Sequence, residues 1–126
     1  MKRSTAIAAC VLAALALLPL AGIAQDLAVT AAKNAKVLLD NDKVRVIELQ
    51  MAPGGKTGMH SHGDHVVYFV TGGEATQNNA DGTSTKRQPK PGEVMWSGPV
   101  THDTHNTGKA MVKAVIVELK APASPP

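Results

Sequence analysis

The sequence is nearly without cysteine, the residue on which disulfide cross-linking and thiol catalysis depend. Cysteine occurs once, at Cys10, inside an apolar stretch near the start. The remainder has no thiol, which excludes disulfides, thiolate nucleophiles and cysteine-ligated zinc. Aromatic residues are reduced to Tyr68, Phe69 and Trp96. Basic residues are scattered and do not cluster, so nucleic-acid binding lacks both its stacking groups and its charge stripe. No segment after residue 24 has a sustained helical period with caps, which excludes helix as the main building material.

What the chain does have begins with a leader. Lys2-Arg3 give a short positive start, Ala6 to Leu20 are almost wholly apolar, and Gly22-Ile23-Ala24 supply small residues before Gln25. This is the layout of a secretory signal peptide over residues 1–24, with cleavage expected after Ala24. The apolar run is too short and, at Pro19, too interrupted for a membrane span. No membrane attachment is expected after cleavage. Cys10 leaves with the leader, and so do Lys2 and Arg3. The 13 basic residues then lose two and nearly balance the 10 acidic ones. A periplasmic or secreted location follows, without cytosolic reductants or ATP, and a cytosolic dehydrogenase or a kinase fits it poorly.

The 126 residues amount to one domain. Residues 25–36 are Ala-rich and weakly patterned, and read as an N-terminal arm able to pair as an edge strand. Residues 37–120 hold about nine short, valine-rich strands divided by Gly, Pro, Asn and Asp, the pattern of an all-β sandwich or barrel. Asn41-Asp42 reads as a turn, and Gly72-Gly73 and Asn79-Ala80-Asp81-Gly82 read as hairpin turns. Residues 121–126 are Pro-rich and read as a disordered tail.

Of five histidines, three lie in Gly58-Met59-His60-Ser61-His62-Gly63-Asp64-His65, and a fourth, His102, follows much later. Residues two apart on a strand share a face, so His60 and His62 can aim at one point. His65 breaks that parity and joins them only through a bend, which Gly63 makes easy. The competing account, histidines solvated in a polar loop, suits poorly a chain with so few elsewhere. His60, His62, His65 and His102 are therefore the candidate ligands for one divalent transition metal, with Fe, Mn, Zn, Ni and Cu all compatible with imidazole.

These residues resemble the cupin family, and more narrowly a small single-domain cupin. The family's first motif runs from a glycine over five residues to H-x-H, then three or four residues to a glutamate, then six to a glycine. Gly54, His60-Ser61-His62 and Gly72 match it, with His65 in the glutamate position at a spacing one residue short. The second motif ends in a histidine, three residues and an asparagine, matched by His102 and Asn106. Gly92 opens it, and Pro99 stands two places late. The resemblance covers Val44 to Lys120. It implies a double-stranded β-helix, or jelly-roll barrel, of two antiparallel sheets around one metal held by His60, His62 and His102, with His65 in place of glutamate. It also favours a homodimer. An imidazole in place of a carboxylate leaves the ion more positive and a stronger Lewis acid. Such three- and four-histidine sites resemble those of some dioxygenases.

Three kinds of function follow. The first is a metal-dependent enzyme, oxygenase-like or an isomerase/lyase, acting on a small molecule in the periplasm. The second is a non-catalytic module that binds a metal or small ligand. The third is a structural barrel that holds metal incidentally. Tyr68 is the one nearby candidate acid for the first. Met51, Met59 and Met95 are expected in the cavity wall and Trp96 in core or at a pocket. His105 should face away from His102. Asp64 and Asp103 are candidates for orienting the imidazoles, and Asn106 for stabilising a turn.

Overall fold

Alternation of buried and exposed side chains runs along the long strands and decides where they pack. In Val112–Leu119, Val112, Ala114 and Ile116 are buried and the residues between them are not. In Val44–Met51 the buried set is Ile47, Leu49 and Met51. This period of two places one face of each strand against the core. The computed structural model describes residues 25–121. The expected leader over 1–24 and the tail beyond 121 lie outside the described residues.

The elements follow in order as α1 (Leu27–Thr30), β1 (Ala35–Asp40), β2 (Val44–Met51), β3 (His60–His62), β4 (His65–Phe69), β5 (Ala75–Asn79), β6 (Ser84–Arg87), β7 (Val94–Ser97), β8 (Val100–Asn106) and β9 (Val112–Leu119). They form two antiparallel sheets, a five-stranded one in the order β1-β2-β9-β4-β7 and a four-stranded one in the order β3-β8-β5-β6. This is the jelly-roll barrel that the resemblance implies. Apolar rows cross the inner face of the larger sheet, such as Ile47–Ile116–Val67–Met95. At one end of the same face the row turns polar, as Asp40–Arg45–Glu118–His65–Ser97.

Two local expectations are corrected. Gly72-Gly73 does not close a hairpin. Both edges of β4 are already taken, by β9 and β7, so the chain crosses to the other sheet and β5 pairs with β8 and β6. Glycine is needed there for close approach: a Cβ on Gly72 would come within 3.0 Å of the Pro89 carbonyl oxygen. The arm over 25–36 is not a strand along its length. Asp26 caps one helical turn, accepting from the Ala28 amide at 2.7 Å, and the edge strand begins only at Ala35. Leu27, on that turn, is 1% exposed and belongs to the core. The turn escapes a periodicity reading because four residues are too few to show a period.

Asn106 does stabilise a turn. Its Nδ2 donates to the carbonyls of Met51 and Ala110 at 2.8 and 2.9 Å, and its Oδ1 accepts from the Gly108 amide at 3.0 Å.

Candidate metal centre

The register of the smaller sheet sets the site. β3 pairs with β8 so that His60 lies directly opposite His102. His62, two residues on, shares the inner face with His60, and all three are buried. His60, His62 and His102 each offer a ring nitrogen within 4.8 Å of the others. Ring centroids of His60 lie 4.7 Å from those of His62 and 4.8 Å from those of His102.

The proton assignments follow from the partners. His60 Nδ1 donates to the Gly58 carbonyl at 2.7 Å. His62 Nδ1 donates to Glu118 Oε1 at 2.6 Å. In a neutral imidazole a proton on Nδ1 leaves Nε2 as a bare acceptor. The two Nε2 atoms nonetheless face each other at 3.0 Å. With both rings neutral, two lone pairs point together in a buried place, an arrangement that a cation between them satisfies, and imidazole nitrogens suit a transition ion. The donor set therefore fits the metal expected from the sequence.

His65 does not enter the set of three. It stands on β4, in the opposite sheet, while the three others come from β3 and β8. Its ring lies 4.5 Å from that of His62, and its Nδ1 donates to the Gly63 carbonyl at 2.7 Å. The expected group of four is thus three imidazoles from one sheet and a fourth approaching from the other.

Tyr68 is a correction. His65 and Val67 point inward, so Tyr68 points out and is 45% exposed. Its hydroxyl has no place in the site chemistry. Met51 and Met95 line the cavity as expected, whereas Met59 is exposed. Trp96 touches the cavity rim but is 58% exposed. His105 pairs with Thr76 and, unlike His102 and Thr104, is absent from the cavity wall.

Asp103 and Asp64 do not touch the imidazoles. Asp103 Oδ1 accepts from the Gly58 amide at 2.9 Å, and so steadies the peptide whose carbonyl holds His60. The carboxylate that does hydrogen-bond one of these imidazoles is Glu118, which the sequence reading passed over. A signal for it exists: Glu118 continues the inward series Val112, Ala114, Ile116, and a charged residue at core parity needs a buried partner.

A cavity of about 220 Å³ opens beside the three imidazoles. Its wall includes Leu49, Val67 and Ile116 on the apolar side and Gln77, Arg87 and Thr104 on the polar side. Burial holds His60 and His65 below the ordinary imidazole range against the hydrogen bonds to Gly58 and Gly63. Burial, with repulsion from His60, His62 and His65, pushes His102 down to about 3.

Comparison with known proteins places this geometry. No protein-family model and no curated protein matches the sequence. Among solved structures, a cupin domain from Bordetella pertussis is 32% identical, over 69% of this chain and 92% of that one, with a TM-score of 0.65. An RmlC-like cupin family protein from Methanocaldococcus jannaschii is 14% identical, over 68% and 78%, at 0.57. A protein described as a predicted oxalate decarboxylase, from Thermotoga maritima, is 23% identical, over 69% and 79%, at 0.52. The last two show the fold alone.

The depressed histidines make a prediction for the metal-free protein. Their folded-state pKa values lie below the ordinary 6.5, so between the two values the unfolded chain binds more protons. Stability is then intact above about pH 6.5 and falls as the pH drops toward 3, by up to about 1.4 kcal/mol per pH unit for each histidine involved. Denaturant unfolding at pH 7.5 and 5 should show the fall, and His102→Gln should reduce it. An equal fall in the variant contradicts the assignment.

Proposed function

The chain belongs to the cupin family, and on that premise we propose that it is an exported protein that holds one divalent transition-metal ion on His60, His62 and His102 and presents it to a small anionic molecule in the periplasm or outside the cell. One observation carries the reading: the facing Nε2 atoms of His60 and His62, whose protons are committed to Gly58 and Glu118. An ion held there supplies Lewis acidity and, with iron, manganese or copper, electron transfer to a molecule lying against it.

The chain's own residues supply the rest. Apolar side chains on the larger sheet keep the cavity short of water. Gln77 and Thr104 offer hydrogen bonds from the smaller one. No acidic side chain among the described residues lines the cavity, and Arg87 is its one permanent cation. That balance suits a carboxylate or similar anion. Without a carboxylate base in the wall, redox or Lewis-acid chemistry fits better than base-driven isomerisation. The cavity is below the size of a drug-sized pocket, which points to a molecule of few atoms. Open space beside the imidazoles favours an enzyme over a module that merely stores the ion.

The outer face of the larger sheet supports a second copy as partner. Leu39, Val46, Val117, Val66 and Trp96 form one lateral row across all five strands, and apolar patches of this kind are commonly covered.

Elemental analysis of protein purified from its native compartment should find about one transition ion per chain, and almost none in His60→Ala/His62→Ala. Equal metal in both refutes the site. Acetate binding to the Co(II)-loaded protein, read from its visible spectrum, should weaken about tenfold or more in Arg87→Gln; unchanged binding sinks the anionic preference. Sedimentation should give twice the chain mass for the native protein and the single mass for Trp96→Glu, while a native monomer contradicts the pairing.

A further inference from the structure

We propose that Glu118 is the positioning residue for His62, and that the N-terminal segment Gln25–Thr30 is part of the metal centre because it fixes Glu118 through Arg45. The inference rests on the metal reading above and adds residues to it.

His62 is reached from two sides. On one, Glu118 Oε1 accepts the His62 Nδ1 proton at 2.6 Å, across the gap between the two sheets. A carboxylate on the far nitrogen fixes which nitrogen is bare, sets the ring's angle and raises its basicity. Glu118 also faces a cation. Arg45 lies opposite it in register, with Nη1 at 3.9 Å from Glu118 Oε2. The same Nη1 donates to Asp26 Oδ2 at 2.5 Å. The chain of contacts therefore runs Asp26, Arg45, Glu118, His62.

On the other side, the Ser61 amide donates to the Gln25 carbonyl at 3.0 Å. Ser61 stands between His60 and His62, so the segment also pins the backbone of the ligand strand. β3 has three residues and a single strand partner, β8. It gains a second backbone anchor from Gln25. Leu27 then seals the arrangement: it is buried in the core and forms part of the cavity wall. Three contacts of different kinds thus tie six residues at the start of the described chain to one imidazole pair.

Arg45 is suited to the central place. Its guanidinium meets Asp26, Asp40 and Glu118, with Asp40 at 3.9 Å from Nε. The guanidinium holds Asp26 by a directed hydrogen bond and faces Asp40 and Glu118 by charge alone, with Nε left without a hydrogen-bond partner among the described residues.

Co(II) titration tests the proposal, with the affinity and the visible spectrum of the bound ion as readouts and thermal melting of each metal-free variant as the check on folding. Glu118→Ala should weaken Co(II) binding about 10–100-fold and alter the spectrum. Glu118→Gln keeps an acceptor for the Nδ1 proton and should recover part of the loss. Asp26→Asn should weaken binding by a smaller factor, and Glu48→Gln, a carboxylate on the outer face paired with Lys113, should match the native protein. If Glu118→Ala does not fold, Glu118→Gln decides alone. Native affinity in the folded Glu118 variants overturns the role of Glu118, and native affinity in Asp26→Asn overturns its extension to the N-terminal segment. A native protein that binds no Co(II) overturns the metal reading itself.

Discussion

Four imidazoles share the interior of this barrel, and burial works against charge on three of them, His60, His65 and His102. Protonating any one of them places a cation among its neighbours in a poorly solvated space. The fold answers by committing one proton from each of three rings to a fixed acceptor: the Gly58 carbonyl for His60, Glu118 for His62 and the Gly63 carbonyl for His65. For His60 and His62 those commitments leave the two Nε2 atoms facing each other at 3.0 Å, a donor arrangement that fits a cation. Neutrality, proton placement and metal affinity are one constraint seen from three sides.

The constraint also explains how the sheets are arranged. The smaller sheet brings His60, His62 and His102 together by register alone, with no bend required. The larger sheet brings a polar row, Asp40–Arg45–Glu118–His65–Ser97, to the same end of the barrel. Elsewhere its inner face is apolar. The bond between His62 and Glu118 is where the two meet, so it is at once a contact between sheets and a constraint on one imidazole of the candidate site.

Much of this was legible in the sequence. Valine-rich alternation announced the strands, and the spacing of Gly54, His60, His62, Gly72, His102 and Asn106 pointed to the cupin barrel and to its three ligands. What escaped did so for physical reasons. Strand pairing over long separations leaves no local trace, so Gly72-Gly73 looked like a hairpin when β4 already had both neighbours. Tyr68 looked close to the site in sequence, but strand parity turned it outward. His65 fills the motif's glutamate position, counted back from Gly72, and approaches His62 from the other sheet rather than joining the three on the smaller one. Glu118 and Arg45 were overlooked although both stand at core parity in apolar strands, where an ionised group signals a buried partner. Asp26 and Leu27 lay in a segment too short for any period to show.

The central claim concerns where a single ion sits. A crystal of the protein grown with Co(II) or Zn(II), measured at the metal's absorption edge, tests it most directly. The account predicts one anomalous peak per chain, about 2.1 Å from the Nε2 atoms of His60 and His62 and from a ring nitrogen of His102, with Glu118 still on His62 Nδ1. No peak between those three rings, or one coordinated instead through His105 or surface carboxylates, would contradict it.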